Sequence, residues 1–216
     1  MTGPAAVALE RVSRTFAYGR REVCALDSLC GRVQRGQIAA LVGANGTGKT
    51  TALRVVATLV RPSSGRALVF GRDVVTEAAF VRRAIGVSLG AGRSFYWRLS
   101  AFHNLAFHAC LRGLRRRRIP GEILRLAAEL DIERYLARPA RGLSRGTLAR
   151  LSLARACLGE PELLVLDEPF ASVDGRAREL LWAALERRAQ AGTAVLLATH
   201  DHWVADRCAP VVELGP

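Results

Sequence analysis

A chain of 216 residues, half of them hydrophobic, has the material for one domain with a real core, or for one domain carrying an inserted lobe. No apolar run approaches the ~18 residues needed to cross a bilayer, and Met1 to Leu9 lacks the basic start and long apolar stretch of a signal peptide, so the chain is expected to be cytoplasmic. The formal net charge of +13 could mark a nucleic-acid binder, but the arginines are spread along the chain and not gathered in one arm, so no nucleic acid is expected as a partner.

Arg115 to Arg118 is the one dense basic run. It can be read as a solvated helix face, a contact to anionic lipid headgroups, or a nucleic-acid contact. The five cysteines, Cys24, Cys30, Cys110, Cys157 and Cys208, show no C-x-x-C pair and read as reduced, partly buried thiols.

In chain order, Ala6 to Val12 alternates as a strand. Thr15 to Arg21 reads as a turn carrying two aromatics, and Cys24 to Val33 as a second strand pairing with the first. Gln37 to Val42 is a short buried strand. It runs into Gly43-Ala44-Asn45-Gly46-Thr47-Gly48-Lys49-Thr50, which matches the phosphate-binding loop G-x-x-x-x-G-K-[ST], and then into an apolar-faced helix from Thr51 to Leu59. Strand, glycine turn and helix start are the context the motif needs. The glycines let backbone N–H groups point at an anion, and the helix end adds partial positive charge.

Lys49 is the only lysine in the chain. A compact ammonium on a flexible stem fits a narrow loop wrapped around a phosphate chain, where a planar guanidinium fork does not. The loop therefore points to a nucleoside triphosphate, with the Thr50 hydroxyl on Mg²⁺.

Further along, Pro62 to Gly65 is a turn, and Arg66 to Phe70 and Ile85 to Leu89 are strands. From Ser100 to Leu136 the pattern is helical, with a break at Ile119-Pro120-Gly121, and reads as an inserted lobe. Leu148 to Leu158 is a helix, Glu162 to Leu166 a buried strand, Ala177 to Gln190 a helix with charges on its wet face, and Ala194 to Thr199 a last core strand. Strands alternating with helices mean a parallel sheet covered on both faces.

The run Leu163-Leu164-Val165-Leu166-Asp167-Glu168 is four apolar residues followed by two acids. A buried strand delivers both carboxylates to its carboxyl end, where open α/β sheets bind ligands. Asp167 is placed to hold Mg²⁺ through water, and Glu168 to polarise a water attacking the γ-phosphate. His200 ends its own strand in the same way and can fix that water. His202 is a weaker candidate, and His103 and His108 have no evident role.

These residues together resemble the ATP-binding cassette (ABC) ATPases, over essentially the whole chain. The order matches: the phosphate loop at 43–50, the signature-like Leu143-Ser144-Arg145-Gly146-Thr147, the Asp-Glu strand end, a loop ending at Asp174, and the switch His200. The resemblance implies an α/β P-loop NTPase core with a mostly parallel sheet and flanking helices, an N-terminal antiparallel β part, and an inserted α-helical subdomain. A single domain would span 1–216, with the nucleotide-binding core at about 1–89 and 148–216 and the helical subdomain at about 90–147.

It also implies ATP and Mg²⁺ as cofactors. Gly43 through Thr51 and Asp174 would contact the nucleotide, Tyr18 would stack on adenine with Phe16 as runner-up, and Glu168 and His200 would be catalytic. Ser144, Gly146 and the helix start beyond them would hold the γ-phosphate of ATP bound to a partner subunit.

The implied partners are a second cassette in an ATP-bound homodimer (or a paired ABC subunit) and a transmembrane permease, which would place the chain on the cytoplasmic face of the membrane. Two departures stand out. Arg145 and Thr147 stand at a glycine-type position and at the glutamine of the family signature. Gly90 stands where the family carries a coupling glutamine. The following Gly92 to Ser100 is similar to a subset of ABC-2 type exporter ATPases that also lack that glutamine. The aromatics and arginines of Gly90 to Ser100 (Phe95, Tyr96 and Trp97, with Arg93 and Arg98) suit a contact with a membrane partner, or else the aromatics pack the helical lobe onto the core. Asp167-Glu168-Pro169-Phe170 also occurs in haem-exporter ATPases, so the subgroup stays open. A soluble ABC ATPase acting on nucleic acid or ribosomes is the competing reading. A regulator that has lost hydrolysis is a third, against which Glu168 and His200 argue.

Overall fold

A computed structural model describes residues 3–19, 21–90, 95–171 and 173–214, with their side chains except those of Tyr18 and Glu213. β1 (Val7–Tyr18) and β2 (Arg21–Val33) form an antiparallel hairpin, and β4 (Ser64–Val69) and β5 (Arg72–Asp73) extend it to a sheet of order β2-β1-β4-β5. The sequence reading put a turn over 15–21. β1 instead runs on through Thr15, Phe16 and Tyr18, because β-branched and aromatic residues suit a pleated surface. The reversal sits at Gly19, whose φ of +62° glycine takes without steric cost.

The second sheet is parallel throughout. β3 (Ile38–Val42), β6 (Ile85–Leu89), β7 (Leu163–Asp167), β8 (Ala194–Thr199) and β9 (Val211–Glu213) stand in the order β6-β7-β8-β3-β9. Alternate residues of a strand face opposite ways. Leu163 and Val165 join one core with Ala39, Leu41 and Leu196, while Leu164 and Leu166 join another with Val195 and Leu197. Both faces are covered, so the central strands read as unbroken apolar runs. The first core is closed by α1 (Lys49–Val56) and the antiparallel sheet. The second is closed by α6 (Gly175–Gln190) and the helical lobe.

The lobe consists of α3 (Ala101–Leu111), α4 (Ile119–Glu129) and the start of α5 (Arg145–Cys157). The sequence reading broke the helix at Ile119-Pro120-Gly121, but α4 begins there. Pro120 lies in the first turn, where its missing N–H has no partner to lose. The break lies earlier, at Gly113 and the arginine run. α5 starts at Arg145 and not Leu148, because the Ser144 side chain caps it, so a core–lobe boundary at 147 falls inside its first turn. α5 rests directly on β6: a Cβ at Gly86 would come within 1.9 Å of the Ala156 carbonyl oxygen. The sequence reading missed α2 (Ala78–Ala84), α7 (His202–Ala205) and β9, all short. Among the described residues, no helix is long and apolar enough to cross a membrane.

Candidate active site

Register alone assembles this site. Leu89 pairs with Asp167, Asp167 with Ala198, and Val42 with Thr199, so β6, β7, β8 and β3 end along one edge. The next residues are Gly90, Glu168, His200 and Gly43. A cleft of about 750 Å³ opens there, and Lys49, Thr50, Asp167 and Glu168 are among the residues that line it. This is the edge at which open parallel sheets bind ligands.

Between β3 and α1 the loop turns through Gly46 (φ +91°) and Gly48 (φ +90°). Gly48 could be no other residue, since a Cβ there would sit 2.0 Å from the Ala25 carbonyl oxygen. α1 then begins with no side-chain cap, which leaves its first amides turned toward the loop. Lys49 is 6% exposed, and its ammonium donates to the carbonyl oxygens of Gly43 (2.7 Å) and Ala44 (2.9 Å). An ammonium has three hydrogens, so one is left for an anion. Asn45, Gly46, Gly48, Thr50 and Thr51 line the same cleft. The Thr47 hydroxyl is turned away to donate to the Ala44 carbonyl oxygen at 3.0 Å.

Within this lining, the Thr50 hydroxyl donates to Asp167 Oδ2 at 2.8 Å. This joins the two residues expected at a metal, contributed by sequence positions far apart. Glu168 has φ +48°, a left-handed conformation that non-glycine residues adopt only under constraint. The constraint is visible: its amide donates to the Ala198 carbonyl oxygen at 3.0 Å, and its carboxylate meets His200 Nδ1 at 2.7 Å. A weaker contact comes from the Thr199 hydroxyl at 3.5 Å, which also accepts from the Asp201 amide at 3.0 Å. Asp201 in turn is ion-paired with Arg178 of α6. The segment carrying His200 is thus pinned from both sides.

The remaining expected residues lie apart from this cleft. Ser144 caps α5, its Oγ accepting from the Thr147 amide at 3.2 Å and lying 2.9 Å from the Thr147 hydroxyl. Thr147, where the family has glutamine, thus braces the helix start. Ser144 and Gly146 do not line the cleft of their own chain, although Arg145 between them does. Asp174 caps α6, accepting from the Ala177 amide at 2.9 Å, and borders a separate cavity of about 200 Å³ beside Arg134 and Arg150. The stacking role assigned to Tyr18 concerns a side chain outside the described residues.

Sequence reasoning missed Thr199, Arg145 and Trp97 as neighbours of the site. Trp97 lines the cleft together with Gly90. The aromatic segment assigned to a partner divides three ways: Phe95 is buried under the Arg155 guanidinium, Trp97 faces the cleft, and Tyr96 is half exposed and packs edge-on against Phe107. Arg93, also assigned to that contact, lies outside the described residues. Asn104, fully buried, organises this segment: its carbonyl oxygen accepts from the Tyr96 amide, and its two amide hydrogens are shared among the Tyr96, Leu99 and Ser100 carbonyls. A lone asparagine inside an apolar helix was the available signal.

Residues 26–171 match a family model described as ABC transporter. The chain is 39% identical over 201 residues to daunorubicin resistance ATP-binding protein DrrA3 of Streptomyces coeruleorubidus, covering 92% of this chain and 63% of that protein. It therefore spans less than two thirds of that relative's length. ABC transporter ATP-binding protein NatA of Bacillus subtilis is 30% identical over 194 residues, which are 90% of this chain and 79% of NatA. Among solved structures, the dimeric post-hydrolysis state of the ATP-binding cassette MJ0796 bound to ADP and Pi superposes with a TM-score of 0.81 at 26% identity, covering 96% of this chain and 94% of that one.

Proposed function

This chain belongs to the ABC transporter ATPase family and has its cassette fold, and on that premise we propose that it is the motor of an exporter, dimerising around ATP to drive a separate transmembrane permease. The observation that carries the reading is the pairing at the end of β7, where Asp167 meets Thr50 and the adjacent Glu168 meets His200. Asp167 would help to hold a metal ion, and Glu168 would polarise an attacking water. Glu168 takes the proton of the attacking water, and His200 orients the carboxylate and holds the water. Lys49 and the first amides of α1 hold the phosphates.

Thr50 and Asp167 offer oxygen donors suited to Mg²⁺. Among the described residues, no group of three or more His, Cys, Asp or Glu could hold a metal unaided, which fits an ion completed by phosphate oxygens and water. When bound, it neutralises phosphate charge.

Ser144 and Gly146 serve the ATP of the partner subunit, since they do not reach the cleft of their own. The solved relative is described as a dimer, and the name of the Streptomyces relative supports drug-type export. Tyr96 and Phe107 supply an exposed aromatic contact for the permease, which would hold the chain at the cytoplasmic face of the membrane. No observation favours the haem-exporter subgroup or a nucleic-acid role.

The test is ATP turnover by the purified chain with and without Mg²⁺, beside Glu168→Gln. Turnover should need the ion and fall about 10²- to 10⁴-fold in the variant, while ATP binding persists and a dimer accumulates on size exclusion. Wild-type turnover by the variant would remove Glu168 from the chemistry. Affinity capture from detergent-solubilised membranes should bring down a protein with about six apolar spans, and its absence would remove the permease.

A further inference from the structure

The outer end of the helical lobe carries a feature that the nucleotide site does not use. α3 ends at Leu111, α4 begins at Ile119, and Arg115, Arg116, Arg117 and Arg118 occupy the connection, all exposed. Among the described residues, none of the four pairs with a carboxylate. The one acid in the first turn of α4, Glu122, is taken by Arg125. Cations at a helix N-terminus oppose its dipole, so the run works against the stability of α4. Stability gives no reason for four of them.

The second observation is apolar. Leu111 is 69% exposed and Leu124 53% exposed, and they flank the connection at the last turn of α3 and the second turn of α4. Phe107, one turn before Leu111, is exposed as well, and its contact with Tyr96 continues the stripe back toward the cleft. Unpaired guanidinium groups edged by exposed leucines match a surface that is anionic at the level of its headgroups and apolar just beneath. A nucleic acid complements the charge alone and would leave the leucines in water.

We propose that Arg115 to Arg118, with Leu111 and Leu124, form a contact to the anionic lipid surface beside the permease. This rests on the reading of the chain as a membrane-transporter subunit, but the contact is made to lipid and needs no permease. It sets the lobe against the headgroups and biases how the cassette is oriented on its partner.

Vesicle sedimentation tests it, using the full chain, low salt, and vesicles of phosphatidylcholine with or without about one third phosphatidylglycerol. Wild type should bind the anionic vesicles, and binding should weaken as salt rises. Each arginine near an anionic surface is worth about a fivefold change in partitioning, so replacing all four of Arg115 to Arg118 by Gln should lower binding by several hundredfold. A charge-matched control replaces Arg32, Arg54, Arg61 and Arg83, which are exposed on the nucleotide core, and should stay within about twofold of wild type. Leu111→Ser with Leu124→Ser should weaken binding while leaving its salt dependence. ATP turnover should be unchanged in all three variants, which shows that they fold.

Equal loss in the two four-arginine variants would overturn the proposal, because net charge alone would then explain binding. So would failure of the wild type to bind anionic vesicles, or tighter binding to polyadenylate RNA lost in the same variant. None of these results touches the permease reading, since the vesicles contain none.

Discussion

Glu168 gives the sharpest connection between backbone and chemistry. Its φ of +48° places a non-glycine residue in the left-handed region, at a steric cost of roughly 1–2 kcal/mol. The His200 side chain that meets its carboxylate is 59% exposed, and so exposed a pair adds only about 0–1 kcal/mol to stability. The pairing therefore does not offset the strain; it aims the carboxylate. Comparing Glu168→Ala with Glu168→Gly isolates the backbone term, because both lose the carboxylate. At an ordinary position alanine is the more stable by about 0.5–1 kcal/mol. Here the order should reverse, with the glycine variant ahead by about 1 kcal/mol, or about 2–4 °C in Tm for a chain of this size. Calorimetry without nucleotide measures it, and both variants should lose turnover. An alanine variant as stable as the glycine variant, or more so, would refute the strain and the constraint derived from it.

Further outcomes follow from the same geometry. Lys49→Ala should abolish ATP binding by calorimetry, since the remaining contacts of the loop are neutral; equal affinity in variant and wild type would sink the phosphate-loop assignment. Mixing a Ser144→Arg chain with a Lys49→Ala chain should restore part of the turnover, because the mixed dimer holds one intact composite site. No recovery, with mixed dimers shown to form, would argue against sites shared between subunits or mean that both sites must work together. Tyr96→Ala should leave ATP turnover of the isolated chain intact and weaken capture of the permease, whereas joint loss of stability and turnover would make the tyrosine a core residue. Burial pushes the Cys157 and Cys208 thiols up to about 12 from an ordinary value of 9.0. The folded state therefore keeps protons that the unfolded chain releases, so stability should be full below pH about 9 and fall as pH rises toward 12. Cys157→Ala should flatten the fall in Tm between pH 8 and 10.5, and an unchanged slope would remove this thiol as a cause.

What the sequence alone determined was local in character. The glycine spacing before Lys49 dictates a turn that only a strand and a helix start can flank. Four apolar residues before Asp167 dictate a buried strand that ends in two acids. The parallel sheet followed from strands that read as unbroken apolar runs between helices. Boundaries were legible where the signal was a periodicity and lost where it was a cap: Ser144 and Asp174 start α5 and α6 earlier than the apolar pattern does. Pro120 was misread as a break because proline is tolerated at a helix start as readily as it is forbidden inside one.

Only the tertiary structure decided which residues meet. Thr50 and Asp167 are separated by 117 positions, and Glu168 and His200 by 32. What joins them is the register of β7 against β8 and of β8 against β3, which no local pattern encodes. The aromatic segment shows the same limit. Phe95, Tyr96 and Trp97 are neighbours in sequence and similar in chemistry. One is core, one is surface and one lines the cleft at the strand ends, because Asn104 fixes the backbone between them and each ring takes the side that its turn of the chain allows.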